Sequence, residues 1–174
     1  MSHQVLDDQI YIGSRNRWVE DDNQNDFSQT FRQHPGIEDF IRDNPGTVIY
    51  GESYGKIKGF DYGIKQGRSG STPNFGFVAF DILRNGGWVD YHEFADLMEK
   101  YNILTPPVLY EGVFDIDKLT EIVETDSRLS WFHSGKKTNH IMEGAVIRTV
   151  TEKFDMRHGR CQGKLVSLRY WNKT

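Results

Sequence analysis

Several stretches of the chain either alternate hydrophobic with polar positions or form short apolar runs, and both patterns are typical of β-strands. The first two such stretches are separated by little more than Asp7 and Asp8, which predicts a hairpin. A glycine-rich and basic stretch at 55–74 predicts a second hairpin. The predicted strands are 4–7, 9–14, 47–51, 75–83, 105–110, 144–149 and 163–168.

Three other stretches space their apolar residues by three or four positions, as amphipathic helices do: 27–43, 91–101 and 115–125. Pro35 must interrupt the first helix, because proline lacks a backbone N–H. Asp115 is the predicted N-cap of the last helix. Strands and helices mixed without a regular βαβ repeat predict an α+β fold. Since no repeat or linker divides the 174 residues, we expect a single domain covering 1–174.

The bulk composition narrows the possible functions. Hydrophobic residues make up 37% and charged residues 26%, which is ordinary for a globular protein. The formal net charge of −4 argues against a sequence-blind nucleic-acid coat protein, but it leaves room for an enzyme with a local basic cleft. The single cysteine, Cys161, excludes an internal disulfide framework and a zinc site of clustered thiolates. Neither a membrane-spanning run nor a leader pattern occurs, so a cytoplasmic location is expected by default.

Four segments combine a strand with polar residues at its end or edge, which is how a cleft between sheets acquires binding groups. Taken singly, each signal is weak. A Gly-Glu pair is more often a turn with a solvated acid, and arginines on a strand edge more often protect that edge. The segments are Gly-Ser-Arg-Asn-Arg-Trp at 13–18, Gly-Glu-Ser-Tyr-Gly at 51–55, Phe-Val-Ala-Phe-Asp-Ile at 77–82 and Glu-Gly-Ala-Val-Ile-Arg at 143–148.

In this order and spacing, the four segments resemble the ATP-dependent RNA ligase family, and phage-type RNA ligases in particular. These covalent nucleotidyltransferases are related to DNA ligases and mRNA capping enzymes. The resemblance covers nearly the whole chain and includes Thr-Pro-Pro-Val-Leu-Tyr-Glu-Gly at 105–112. It implies the nucleotidyltransferase (adenylation) fold of ligases, with antiparallel sheets flanked by helices. The implied function is an RNA ligase core that uses ATP (AMP) and Mg²⁺ and acts on RNA 5′-phosphate and 3′-hydroxyl ends.

The resemblance also implies roles for residues of the first three segments. Arg15 matches the family's arginine that contacts the nucleotide or the 5′-phosphate end, and it is a candidate catalytic residue. Glu52 matches the glutamate that binds the ribose hydroxyls, and Phe80 the aromatic residue that stacks on adenine. These residue types suit the chemistry, because an aromatic ring stacks on any base and a carboxylate accepts hydrogen bonds from hydroxyls.

The last part of the chain matches the residues that the family uses for metal and phosphate. Glu143 is the candidate metal ligand, and Arg148 is expected near a phosphate or the base. Lys164, in Gly-Lys-Leu-Val-Ser at 163–167, resembles a lysine that touches the α-phosphate; a solvated strand end is the alternative. The family often has a second lysine where this chain has Val166. With Arg15, Glu143 and Lys164 would complete the catalytic set, since cations neutralise charge as a phosphoanhydride breaks.

The motif that defines the superfamily, Lys-x-Asp-Gly, is absent from the 174 residues. Its lysine forms the covalent adenylate, and the resemblance places it a handful of residues before Met1. We therefore expect a domain that is incomplete at its N-terminus and does not adenylate itself alone. A misassigned start, a split gene and a degenerate relative remain open, so whether the chain is itself an enzyme is uncertain. The alternative function is a non-catalytic nucleotide- or RNA-binding module, or half of a split ligase with a partner chain supplying the missing strand.

Overall fold

A computed structural model describes residues 2–6, 9–19, 26–54, 56–57, 60–61, 75–128 and 141–172. The chain contains two compact units, Met1–Pro106 and Pro107–Thr174. Strands and helices occur in both units and the sheets are antiparallel, which confirms the predicted α+β class. In the described part of the chain, no helix is long and apolar enough to cross a bilayer.

The first unit is built on a six-stranded antiparallel sheet. Its strand order is β3-β2-β1-β4-β7-β8, and a separate short pair is formed by β5 and β6. The hairpin predicted around Asp7 and Asp8 is confirmed, because β1 and β2 pair in register from Ser2↔Gly13 to Leu6↔Gln9. The strands are β1 (Ser2–Leu6), β2 (Gln9–Gly13), β3 (Trp18–Val19), β4 (Thr47–Tyr54), β5 (Lys56–Ile57), β6 (Phe60–Asp61), β7 (Gly76–Arg84) and β8 (Gly87–Trp88).

Three helices of this unit contribute to the core on one face of the sheet, the first of them through the partly buried Phe31. They are α1 (Asp26–Gln33), α2 (Pro35–Asp43) and α3 (Tyr91–Lys100). The predicted interruption at Pro35 is confirmed, since that residue begins a second helix where its missing N–H has no intrahelical partner to lose. The shared core contains Ile37, Phe40 and Ile41 of α2, Ile49, Phe77, Ala79 and Ile82 of the sheet, and Phe94 and Met98 of α3.

The structure differs from the predicted strand at 105–110 and describes only part of the predicted hairpin at 55–74. The strand predicted at 105–110 is wrong, because those residues form no strand. Pro106 and Pro107 explain the failure, since neither can donate to a ladder. Within the stretch 55–74, where a hairpin is predicted, β5 pairs with β6, and the rest of the stretch lies outside the described residues.

The second unit combines a strand pair, a small hairpin and two helices. Its elements are α4 (Ile116–Val123), β9 (Gly144–Arg148), β10 (Phe154–Asp155), β11 (Gly159–Arg160), β12 (Gln162–Val166) and α5 (Leu168–Trp171). The side chain of Asp115 accepts a hydrogen bond from the Lys118 amide at 3.1 Å, so its predicted capping role is confirmed. The strand predicted to reach residue 168 ends at Val166, because Leu168 begins α5.

Candidate functional site

The six-stranded sheet has a second face that carries exposed aromatic residues. Residues directly opposite each other in an antiparallel ladder project to the same side. The pairs Gly13↔Trp18, Ser2↔Gly13, Ser2↔Tyr50 and Tyr50↔Asp81 therefore trace one continuous face across the sheet. It lies opposite the core residues, and we call it the aromatic face. Its rings belong to Tyr11, Trp18, Tyr50, Phe80 and Trp88, with centroids 5.9 Å apart for Tyr11–Trp18 and 5.4 Å apart for Tyr50–Trp88.

A β-bulge brings Phe80 onto this face. The ladder register passes from Tyr50↔Asp81 to Gly51↔Ala79, so Phe80 is the extra residue of β7. The core residues on either side, Ala79 and Ile82, are three positions apart rather than two, as one inserted residue requires. Phe80 is 43% exposed in a strand whose central residues are otherwise buried. The bulge therefore turns an aromatic ring out of the core without interrupting the strand.

Glu52 lies on the neighbouring strand and on the same face. Glu52 is opposite Val78, which precedes Phe80 by two residues in β7, and the side chain of Glu52 is exposed. The preceding Gly51 is required by the core, because a Cβ there would lie 2.1 Å from the Cζ atom of Phe77. Gly51 and Glu52 are therefore part of a strand, with Gly51 on the core face and Glu52 on the aromatic face, rather than a turn with a solvated acid. Glu52 and Phe80 thus lie at diagonal positions on the same face of two paired strands.

Arg15 lies in the turn that joins β2 to β3. The turn is closed by two hydrogen bonds to the Arg17 carbonyl, from the Ser14 amide at 2.8 Å and the Ser14 hydroxyl at 3.1 Å. Arg15 and Arg17 are both exposed, and neither forms an ion pair with another residue that the structure describes. Arg15 is thus in the turn at the end of β2, and β1 lies between β2 and the strand that carries Glu52.

In the second unit, Glu143 and Lys164 form an ion pair at the beginning of the β9–β12 ladder. Both side chains are about half exposed. An exposed pair contributes only about 0–1 kcal/mol, so its partners can be exchanged for other charged groups at little cost. Gly144 allows the backbones of β9 and β12 to approach closely here, because a Cβ at this position would lie 2.1 Å from the Leu165 carbonyl oxygen. The structure therefore places two of the three residues implied for metal and phosphate in direct contact.

Arg148, at the other end of β9, belongs to a more buried charge cluster. Glu152 accepts hydrogen bonds from Arg148 Nη2 at 2.8 Å, and from Arg160 Nε at 2.7 Å and Nη2 at 2.6 Å. The three side chains are only 10–15% exposed. The hydrogen bond from Arg160, with its charge and that of Arg148, lowers the pKa of Glu152 below its ordinary value, although burial acts in the opposite direction. The guanidinium of Arg148 is thus held by Glu152.

Sequence reasoning missed Glu152 and Arg160, because their pairing depends on the β10–β11 hairpin and has no local signal. It also missed the aromatic face as a whole. Ser2, Tyr50 and Asp81 come from three different strands, and their position on one face follows only from the ladder register.

A magnesium ion would have few direct protein ligands. Among the described residues, no three His, Cys, Asp or Glu side chains are grouped closely enough to hold a metal. This fits Mg²⁺ bound to a nucleotide, since that ion usually keeps several waters and takes one or two carboxylates together with phosphate oxygens. Glu143 can supply such a carboxylate, because its present partner is an exposed lysine.

Comparison with known proteins gives this site its context. The sequence profile of the RNA ligase family matches residues 1–166. The chain belongs to the RNA ligase family. A search of curated protein sequences gave no match.

Solved structures share the fold. An RNA ligase mutant from Naegleria gruberi without ligand superposes with a TM-score of 0.75 at 19% identity, over 99% of this chain and 47% of that one. Another Naegleria gruberi RNA ligase mutant, bound to ATP and Mn, gives 0.70 at 18% identity, over 99% and 48%. An Aquifex aeolicus chain described as an ATP-dependent DNA ligase gives 0.56 at 16% identity, over 97% and 41%. The chain spans about half the length of these ligases, and the ligase nucleotidyltransferase fold implied by the sequence is confirmed.

Proposed function

We propose that this chain is the ATP-binding core of an RNA ligase that acts on RNA 5′-phosphate and 3′-hydroxyl ends. The observation that carries the proposal is that Glu52 and Phe80 lie diagonally on the paired strands β4 and β7, both exposed on the face opposite the core. In this proposal, Phe80 stacks on adenine and Glu52 accepts hydrogen bonds from the ribose hydroxyls. The Naegleria ligase that shares the fold was crystallised with ATP and Mn, which supports a nucleotide with a divalent cation as ligand.

Glu143 and Lys164 take the metal and phosphate roles in this proposal. Glu143 would hold Mg²⁺ through its carboxylate, and Lys164 would contact a phosphate oxygen through its ammonium group, in place of the ion pair that the two side chains now form. Mg²⁺ supplies charge neutralisation on the phosphates as the anhydride bond breaks. Arg148 remains a proposed phosphate or base contact, and Arg15 a proposed contact of the RNA 5′-phosphate. All these roles belong to a single ligase domain, which we expect to act in the cytoplasm.

In this proposal the nucleophilic lysine belongs to a Lys-x-Asp-Gly segment that the 174 residues lack, on this chain or on a partner chain. The register supports a position for it. The strands β1 and β4 are antiparallel, and Ser2 lies opposite Tyr50. If β1 were extended backwards from Ser2 in the same register, the second residue before Ser2 would lie opposite Glu52. A strand carrying Lys-x-Asp-Gly and added at this place would therefore pass beside the proposed ribose-binding residue. Without it, the chain could at most seal an RNA end that is already adenylated.

ATP binding tests the proposal, measured by calorimetry with Mg²⁺ on the wild-type chain and on Phe80→Ala and Glu52→Ala. Loss of the stacking ring should weaken binding by about 5- to 150-fold, corresponding to about 1–3 kcal/mol per stacked base. Glu52→Ala should weaken it by a similar factor, because hydrogen bonds to a charged group contribute about 1.5–3 kcal/mol. Phe154→Ala is the matched control, since Phe154 is exposed in the other unit and should leave ATP affinity unchanged.

Incubation with α-labelled ATP completes the test. We expect no covalent label on this chain, and a label when a segment carrying Lys-x-Asp-Gly is added at its N-terminus or on a second chain. A labelled lysine within the 174 residues would contradict the proposed split of roles. Failure to bind ATP, or wild-type binding by Phe80→Ala, would remove the proposed nucleotide site.

A further inference from the structure

The turn between β2 and β3 lines an open, shallow cavity of about 280 Å³. Its lining combines an aromatic ring with cationic and neutral hydrogen-bonding side chains. Ser14, Arg15, Asn16, Arg17 and Trp18 come from the turn and the first residue of β3, and Gly13 and Ser2 from the adjacent strands. All of these residues belong to the first unit.

Trp18 is held in place although much of it is exposed. Its ring packs across Gly13, where its Cε3 and Cζ3 atoms would lie 3.2 Å from a Cβ. Tyr11, two residues before Gly13 on the same face, meets the indole ring edge-on at an interplanar angle of 67°. Even so, Trp18 remains 57% exposed. A large ring that is fixed by its neighbours yet open to solvent is preorganised to stack on a flat ligand.

The turn carries two guanidinium groups, which suit an anionic ligand. Residues 13–19 contain Arg15 and Arg17 and no acid, and the acidic residues Glu-Asp-Asp follow in the sequence at 20–22. The side chains of Arg15 and Arg17 are exposed and line the cavity, and neither forms an ion pair with another residue of the described part of the chain. The two hydrogen bonds from Ser14 to the Arg17 carbonyl fix the turn from which both arginines project.

We propose that this cavity binds a nucleobase at the end of a single-stranded RNA, with Trp18 stacking on the base and Arg17 contacting a backbone phosphate. A π-face beside guanidinium groups is the combination by which proteins hold single strands without reading their sequence. The inference rests on the proposed function in taking RNA as the ligand and Arg15 as the contact of its 5′-phosphate. It adds a base-binding position that is separate from the ATP site around Phe80.

The test is fluorescence anisotropy with a short 5′-phosphorylated single-stranded RNA, without ATP and Mg²⁺. Trp18→Ala should weaken RNA binding by about 5- to 150-fold, and Trp18→Phe should restore most of the loss. Arg17→Ala should reduce the dependence of log affinity on log salt concentration by about one unit. Trp171→Ala is the matched control, because Trp171 is also an exposed tryptophan but lies in the other unit.

Two further measurements separate this inference from the proposed ATP site. An RNA with an abasic nucleotide at its 5′ end should bind the wild-type chain as weakly as intact RNA binds Trp18→Ala. ATP affinity should be the same in Trp18→Ala and wild type. If Trp18→Ala binds RNA normally, or loses RNA and ATP binding together, the base-binding site is refuted. If the chain binds RNA through Trp18 but does not bind ATP, the proposed ATP site fails while the RNA site stands.

Discussion

The charge cluster around Glu152 gives the most quantitative prediction about stability. Glu152→Gln keeps the shape of the side chain but removes the charge that both Arg148 and Arg160 contact. Three hydrogen bonds of 2.6–2.8 Å end on this one carboxylate, and the three side chains are at most 15% exposed. With its amide oxygen at the Oε1 position, the glutamine can still accept from Arg148 Nη2 and Arg160 Nη2, but its amide NH₂ group then faces Arg160 Nε.

The expected loss is about 2–4 kcal/mol in the free energy of unfolding. A hydrogen bond to a charged group contributes about 1.5–3 kcal/mol, and removing one partner of a buried ion pair costs about 3–5 kcal/mol. The upper values do not apply in full, because the cluster is partly exposed and its bonds are not additive. Glu38→Gln is the matched control, since Glu38 contacts Arg42 at the same 2.8 Å but both side chains are about half exposed. Its cost should be below about 0.5 kcal/mol.

The assay is urea unfolding, with hydrogen exchange over residues 144–166 to assign the change to the second unit. The pKa of Glu152 is lowered in the folded protein from its ordinary value of 4.5, so its stabilising effect is complete above that pH. The effect is lost as the pH falls through the folded-state pKa. The difference between wild type and Glu152→Gln should therefore be largest at neutral pH and shrink below pH 4.5. An equal cost for Glu152→Gln and Glu38→Gln at neutral pH, or a difference that does not shrink in acid, would refute this reasoning.

Two further substitutions test why the local sequence is required. Gly51→Ala places a Cβ 2.1 Å from the Phe77 ring and 2.6 Å from the Val78 carbonyl oxygen, so it should lower the free energy of unfolding by about 1–3 kcal/mol. An unchanged urea midpoint would show that the core can relax around the methyl group. Asp115→Ala removes the cap of α4 and should cost about 0.5–2 kcal/mol, measured as faster hydrogen exchange in residues 116–123. Wild-type exchange rates there would contradict a stabilising cap.

The longer elements could be predicted because their signals are local. Helical spacing and a proline were sufficient for α1, α2 and α3, and the cap at Asp115 followed from residue type and position alone. Alternation on either side of Asp7 and Asp8 was sufficient for the first hairpin. The apolar run at 105–110 had the composition of a strand, but Pro106 and Pro107 removed two donors that a ladder needs.

The remaining features depend on contacts between distant residues. The two-residue strands β3, β8, β10 and β11 are too short for any period to show. The bulge at Phe80 follows from the register of β7 against β4, and the Glu152 cluster joins residues across a hairpin. For the candidate site, the identities of Glu52 and Phe80 came from a family resemblance. Their shared face could come only from the ladder.

The bulge at Phe80 has an evolutionary consequence. The register of β7 is set by the residues on either side, and the core takes its contacts from Ala79 and Ile82. The side chain at position 80 is 43% exposed and does not belong to the core cluster. We expect this position to accept other aromatic or aliphatic residues without compensating changes in the core. Selection for a different ligand could then proceed through single substitutions at this position, each passing through a folded intermediate.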